Sequence, residues 1–174
     1  MASISPAIFA DYNSTTPLCD DVLSSLQKWG GNVGNISSSH QFGQRMHQLY
    51  DDAVSTIQNL FHATSYELFT CASATEANNW LFYSLFQQSQ SGEIPRVITS
   101  AVEHACVRSP LQYYHDQGLI ELVTCNVDRR GVIDLDHFQT LLTPNTALVS
   151  IILANNEIGT IQPLKAVSTL AKRV

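Results

Sequence analysis

The chain has 174 residues, of which 44% are hydrophobic, and its formal net charge is -6. The length fits a single domain, and the apolar share supports a buried core, which excludes a disordered chain. The acidic balance argues against nonspecific binding to nucleic acid or to an anionic membrane surface, but it permits one small anion in a local pocket. We therefore expect neither a nucleic-acid partner nor a membrane partner.

The expected location is cytoplasmic. No apolar run is long enough to span a bilayer, and the opening Met-Ala-Ser-Ile-Ser-Pro lacks the basic start and apolar core of a signal peptide. The cysteines form no C-x-x-C pair, so no metal site is indicated. Cys71 and Cys125 lie in apolar runs and are expected to be buried in a reduced protein.

Two helices are predicted in the first part of the chain. Asp20 is expected to cap the first helix, and the second begins at Gln41. Apolar residues recur at three- and four-residue spacing through residues 46–61, which predicts a stripe that belongs to a core. Between the helices, glycines are concentrated at Gly30, Gly31 and Gly34. They indicate unusual backbone angles or the close approach of another group, and a flexible surface loop is the alternative.

The next stretch predicts a strand (residues 67–71), a loop of small residues (72–75) and a helix from Glu76. Ser73 and Glu76 have the spacing of a capping box. A helix start of this kind has free N–H groups and a positive dipole end, and the hydroxyls of Ser73 and Thr75 can add donors. The unit therefore predicts an anion site, although a plain capped helix is the alternative.

Strands and helices alternate through the rest of the chain. The strands are predicted at 96–100, 119–127 and 146–153, the last of them buried on both faces. The helices are predicted at 105–117, closed by Gly118, then after a cap at Asp134, and from Pro163.

This alternation predicts an α/β fold, a three-layer α/β/α arrangement with a mainly parallel sheet. Ligands of such sheets bind beyond the carboxyl ends of the strands. The polar loops 72–75, 101–104 and 155–159 should meet there, and their convergence predicts a site. The chain has neither G-x-G-x-x-G after its first strand nor G-x-x-x-x-G-K-[ST], which argues against a dinucleotide or nucleoside triphosphate.

Six short blocks also occur in a familiar order and spacing: Asp11–Pro17, Gly34-Asn35, Ser39–Gly43, Ala74–Glu76, Glu103-His104 and Asn155–Gly159. In these blocks the chain resembles cysteine desulfurases of the NifS/IscS type, which are pyridoxal 5'-phosphate (PLP) enzymes of the class V aminotransferase group and fold type I. The resemblance implies one incomplete domain over 1–174. It would comprise an N-terminal arm (about 1–35) and part of the PLP-binding large domain (about 36–174), with the C-terminal domain absent.

The resemblance also implies roles for individual residues. Ala74 and Thr75 would hold the cofactor phosphate, to which Ser73 could add a donor. His104 would stack on the pyridine ring and assist proton transfer, which makes it the one catalytic candidate. Asn156 would hydrogen-bond the phenolic oxygen of PLP. From the residues alone, His104 could merely bond to the loop backbone, and Asn156 could be an ordinary turn-former.

Some positions depart from the family pattern. Ser73 stands where glycine is usual, and Ile36 where proline usually follows Gly-Asn. The lysines Lys28, Lys165 and Lys172 do not follow a strand, so none is a candidate for the Schiff base. No cysteine matches the family's nucleophile, and the family's aspartate that pairs with the pyridine nitrogen has no counterpart. We therefore expect the fragment to be inactive alone.

The function implied by the resemblance is that of the N-terminal portion of a PLP-dependent cysteine desulfurase. Such an enzyme converts cysteine to alanine and passes sulfur through an enzyme persulfide to iron–sulfur clusters or thiolated nucleotides. The partners implied are the cysteine substrate, a second copy in a homodimer, and a sulfur-acceptor or scaffold protein. The alternatives are another class V enzyme, such as a selenocysteine lyase or an aminotransferase, and a truncated non-catalytic protein.

Overall fold

The computed structural model of the protein describes residues 8–87 and 93–173, and the chain divides into two compact units, Met1–Thr70 and Cys71–Val174. The first unit contains helices α1 (Asp20–Trp29) and α2 (Gln41–Leu60). The second contains, in order, α3 (Ala74–Gln87), β1 (Arg96–Ser100), α4 (Ala105–Asp116), β2 (Glu121–Cys125), α5 (Leu135–Leu141), β3 (Thr146–Ser150) and α6 (Leu164–Ala171). Across the described ranges no helix is both long and apolar enough to cross a membrane.

Both predicted helices of the first unit are present, but their caps differ from the prediction. The N-cap of α1 is Cys19, without a side-chain bond, and Asp20 lies inside the first turn, where a negative charge favours the helix dipole. The prediction that Asp20 is the cap was therefore wrong. Helix α2 begins at the predicted Gln41, and the Nδ1 atom of His40 accepts the Gly43 N–H at 3.3 Å. His40, to which the sequence analysis gave no role, caps α2.

Gly34 shows why glycine is needed between these helices. Its φ is +154°, and a Cβ at this position would lie 2.5 Å from the Phe42 carbonyl oxygen and 2.7 Å from the Met46 Cγ. The loop therefore packs against α2 too closely for any side chain. Of the two sequence-based alternatives, a close approach is confirmed here.

The apolar stripe of α2 is not a core within the first unit. Gly43 is the only buried residue of α2, and Leu60 and Phe61 are 74% and 71% exposed. The prediction was wrong because periodicity identifies which face of a helix is apolar, but not whether another element covers that face.

The second unit contains the predicted parallel sheet, in the order β2-β1-β3. Val97 and Ile98 are adjacent in β1 and fully buried on opposite faces. Val97 packs with Phe82 of α3 and with α4, whereas Ile98 packs with Phe138 of α5 and with α6. Two helices therefore cover each face, which confirms the three-layer α/β/α prediction.

Two strand predictions need correction. Residues 67–71 pair with none of the described strands, and Phe69 is 67% exposed. A strand requires a hydrogen-bonded neighbour, and β-type composition alone does not supply one. Strand β3 is half-buried or exposed along its length, instead of buried on both faces, because β1 is its single neighbour in the described sheet.

The expected burial of the two cysteines is half right. Cys125 is fully buried at the end of β2, and that burial raises the pKa of its thiol to about 11. Cys71 is only half-buried. It lies in the segment that does not join the sheet.

One prediction concerns the ion pair at the start of the sheet. The Nε and Nη2 atoms of Arg96 each donate to Glu121 at 2.8 Å, and Nη1 donates to the Leu141 carbonyl at 3.0 Å. The hydrogen bond from Arg96 holds the pKa of the Glu121 carboxyl below its ordinary value. The contribution of this ion pair to the free energy of unfolding is therefore present above the pKa that Glu121 has in the unfolded chain. It is lost as the pH falls through the lowered pKa that Glu121 has in the folded protein.

We expect Glu121→Gln to reduce the free energy of unfolding at neutral pH by less than about 1 kcal/mol, because the carboxylate is half-exposed and screened. Urea titrations at neutral pH and at about pH 3 should show the difference shrinking as the wild-type carboxylate is protonated. Glu93→Gln, at an exposed carboxylate in the same unit, is the control. A difference that grows on acidification would contradict the assignment.

Candidate active site

The strand order of the sheet identifies where a ligand would bind. From β1 the chain moves to β2 on one side and then to β3 on the other, so the order reverses beside β1. In open α/β sheets this reversal leaves a crevice between the carboxyl ends of the two diverging strands. The loop after β1 leads to His104, and the loop after β3 contains Asn156.

Side-chain hydrogen bonds join these two loops. The Oε1 atom of Glu103 accepts from the Ser100 hydroxyl at 2.7 Å and from the Ile152 N–H at 2.7 Å. The Asn155 Nδ2 atom donates to the Val102 carbonyl at 2.8 Å. The loops after β1 and β3 therefore form one connected structure, as their predicted convergence requires.

The loop after β3 is shaped mainly by Asn155. Its Oδ1 atom accepts from the N–H groups of Glu157 and Ile158 at 2.8 and 2.9 Å, an Asx-type turn. Gly159 closes the loop with φ of +70°, a conformation that favours glycine, and its N–H donates to the Asn155 carbonyl at 3.0 Å. Asn156 is held in this turn with an exposed side chain.

His104 is exposed and forms the N-cap of α4. Its Nδ1 atom accepts the Cys106 N–H at 3.1 Å. An acceptor nitrogen carries no proton, so the neutral ring with this bond has its proton on Nε2. In this arrangement Nε2 carries the N–H group, which is available as a hydrogen-bond donor to a ligand.

The start of α3 is a capping box that differs slightly from the predicted one. The Ser73 hydroxyl accepts the Glu76 N–H at 3.2 Å, but the Glu76 carboxylate accepts the Ala72 N–H, at 2.7 Å, instead of reaching Ser73. The helix itself begins at Ala74, two residues before the predicted start. As first-turn groups, the N–H groups of Ala74 and Thr75 have no acceptor within the helix.

A groove of about 550 Å³ lies between α3 and α4. Thr75 and Asn79 line it from α3, and His104 and Cys106 line it from α4. The structure thus unites two of the predicted site residues, Thr75 and His104, in one concavity. The other three do not line the groove: Ser73 and Ala74 directly precede Thr75, and Asn156 lies in the loop that Glu103 and Asn155 tie to the His104 loop.

Comparison with known proteins identifies the family. The family model described as aminotransferase class-V matches residues 8–174. The chain belongs to the class V aminotransferase family. Among its relatives are a cysteine desulfurase IscS from Dictyoglomus turgidum, 35% identical over 95% of this chain, and the mitosomal cysteine desulfurase of Trachipleistophora hominis, 34% identical over 98% of it.

Solved structures agree with this membership. A NifS-like protein matches 94% of this chain and 44% of its own with a TM-score of 0.87 and 30% identity. SspA in complex with cysteine matches 94% of this chain and 47% of its own with a TM-score of 0.83 and 28% identity. The fold is therefore that of NifS-like PLP enzymes of fold type I. The chain spans 42% of the length of the Dictyoglomus turgidum desulfurase and 40% of the length of the Trachipleistophora hominis desulfurase.

The residues of the groove fit the cofactor of this family. A phosphate group requires hydrogen-bond donors, and Thr75 lines the groove at the start of α3, where the N–H groups of Ala74 and Thr75 have no acceptor within the helix. A pyridine ring requires a flat partner, and the exposed imidazole of His104 lines the same groove. The groove volume lies within the range of small-molecule sites, about 300–1,000 Å³.

Glu103 and Asn155, which join the loops after β1 and β3, have no role predicted from the sequence. Both lie inside blocks that carry the family resemblance, but ligand roles are predicted only for their neighbours, His104 and Asn156. The available signal was a polar residue directly before each candidate at a strand end. Its meaning depends on burial and hydrogen bonding, which a single sequence does not display.

Proposed function

We propose that this chain is the N-terminal portion of a PLP-dependent cysteine desulfurase, which converts cysteine to alanine and passes the sulfur on through an enzyme persulfide. The observation that carries the proposal is the groove between α3 and α4, which is lined both by Thr75 in the first turn of α3 and by His104. The similarity to cysteine desulfurases along nearly the whole chain supports the choice of reaction.

The residues of this chain would bind and orient the cofactor. Ala74 and Thr75 would hold its phosphate, Ser73 could add a hydroxyl donor, and Asn156 would donate to the phenolic oxygen. When bound, PLP would supply the electron sink for bond breaking at the substrate. His104 would pack against the ring and present Nε2–H as a hydrogen-bond donor. To take up a proton at Nε2, the ring must move its existing proton to Nδ1 and release the Cys106 N–H.

The remaining catalytic groups would come from residues outside this sequence. Lys28 belongs to α1 in the first unit, and Lys165 and Lys172 are exposed at α6, which packs on the sheet face opposite α3 and α4. None is a candidate for the Schiff base, so the 174-residue chain alone should be inactive. We further propose that the whole enzyme is a homodimer and that it is located in the cytoplasm. It would act in iron–sulfur cluster assembly together with a sulfur-acceptor or scaffold protein.

The test is a product assay on the longest native polypeptide that contains this sequence. Incubation with cysteine, PLP and a thiol reductant should yield alanine and sulfide in equal amounts, while the 174-residue chain yields neither. Turnover of selenocysteine alone would favour a selenocysteine lyase, and amino-group transfer to a keto acid would favour an aminotransferase. No turnover of any amino acid by the longer polypeptide would favour the non-catalytic alternative and sink the proposal.

A further inference from the structure

Glu103 is an unusual residue for a loop at a sheet edge, because its carboxylate is buried. The residue is only 7% exposed, and within residues 8–87 and 93–173 no lysine, arginine or histidine forms an ion pair with it. Removing a carboxylate from water is unfavourable unless hydrogen bonds replace its hydration. Here the replacement consists of the Ser100 hydroxyl and the Ile152 N–H, which both donate to Oε1.

Of these two bonds, the one from Ile152 links the loop after β1 to the segment after β3, beyond the last backbone pair of the two strands. The β1–β3 register ends where Thr99 faces Ser150, and Ile152 lies two residues further along the chain. The Glu103 carboxylate takes the N–H of Ile152, which lies beyond the backbone ladder. A side chain thereby fixes the separation of the two loops at the point where the strands begin to diverge.

Glu103 also directly precedes His104, while Ile152 begins the segment that leads to Asn156. Asn155 adds a second tie between the same loops, through the Val102 carbonyl. A displacement of either loop would therefore change the position of His104 relative to Asn156. Displacements of about 1 Å at a site of this kind can cost about 10²-fold in rate.

We propose that Glu103 is a positioning residue, whose carboxylate sets the separation of the His104 and Asn156 loops and thereby the affinity of the site for PLP. The inference about PLP affinity rests on the proposed function, whereas the coupling of the two loops does not. Glu103 acts through Ile152 and Ser100.

The test compares Glu103→Ala and Glu103→Gln in the longest native polypeptide that contains this sequence. Both bonds are accepted by one oxygen, so the amide oxygen of glutamine can accept them, whereas alanine cannot. Phe138→Leu is the control, because it weakens the core of the same unit on the α5 and α6 face, away from the groove. The first readout is hydrogen–deuterium exchange without PLP, and the second is the PLP dissociation constant from equilibrium dialysis.

Glu103→Ala should speed exchange in both residues 101–104 and residues 152–159 and weaken PLP binding by at least about tenfold. Glu103→Gln should stay close to the wild type in both readouts, and Phe138→Leu should leave PLP affinity unchanged. Unchanged exchange in either loop of the alanine variant would overturn the inference, as would a glutamine variant as impaired as alanine. If the wild type binds no PLP, the proposed function fails and exchange alone decides whether Glu103 couples the loops.

Discussion

Replacing His104 by alanine is expected to lower cysteine turnover by about 10²- to 10⁴-fold in the longest native polypeptide that contains this sequence. The change removes the ring that lines the groove beside Thr75 and the Nε2–H that the Nδ1 bond to Cys106 leaves available. It also removes the N-cap of α4, which is worth about 1 kcal/mol in typical helices. Turnover at saturating PLP and cysteine measures the first effect, and urea unfolding measures the second.

His104→Asn separates the two effects. Asparagine is a good N-cap, so this variant should keep most of the stability that alanine loses. It has no imidazole, so its turnover should be as low as that of alanine. If the asparagine variant instead recovered wild-type turnover, His104 would be only the cap of α4, and its catalytic assignment would be wrong.

Replacing Phe138 by alanine is expected to reduce the free energy of unfolding of the second unit by about 3–5 kcal/mol. Phe138 is fully buried in the cluster that includes Ile98, Cys125 and Val167, so its removal leaves a cavity between the sheet and the α5 and α6 layer. A loss of this size is a large fraction of the stability of an ordinary domain. Chemical denaturation followed by far-ultraviolet circular dichroism measures it.

Tyr83→Ala is the matched control for this core prediction. Tyr83 is an aromatic residue of the same unit, on α3, but it is 62% exposed. Its replacement should change the unfolding free energy by about 0.5 kcal/mol or less. Equal losses for Phe138→Ala and Tyr83→Ala would contradict the assignment of the core.

The elements that the sequence predicts correctly are those whose signals are local. The capping residue Asp134 precedes α5 and accepts from the N–H groups of Asp136 and His137 at 3.0 Å, as its position implies. Gly118, which was predicted to close α4, has φ of +70°. The three strands of the sheet were predicted from apolar runs, and their alternation with helices predicted the parallel pairing, although β2 and β3 are shorter than the predicted 119–127 and 146–153.

The failures occur where the structure depends on partners distant in sequence. Residues 67–71 have the composition of a strand but no described partner, and the apolar stripe of α2 is only half-buried or exposed within its own unit. The candidate site shows the same division. Family blocks located Thr75 and His104, but the bonds that Glu103 and Asn155 make join residues about fifty positions apart and became visible only in the fold.

We propose that the starts of α3 and α4 hold PLP and that the Schiff-base lysine comes from outside this sequence. Borohydride reduction of the PLP-loaded longer polypeptide, followed by intact mass and peptide mapping, is the experiment that decides this. We expect bleaching of the visible absorbance and one reduced PLP adduct on a lysine other than Lys28, Lys165 and Lys172. An adduct on one of those three lysines, or a longer polypeptide that binds no PLP, would contradict it.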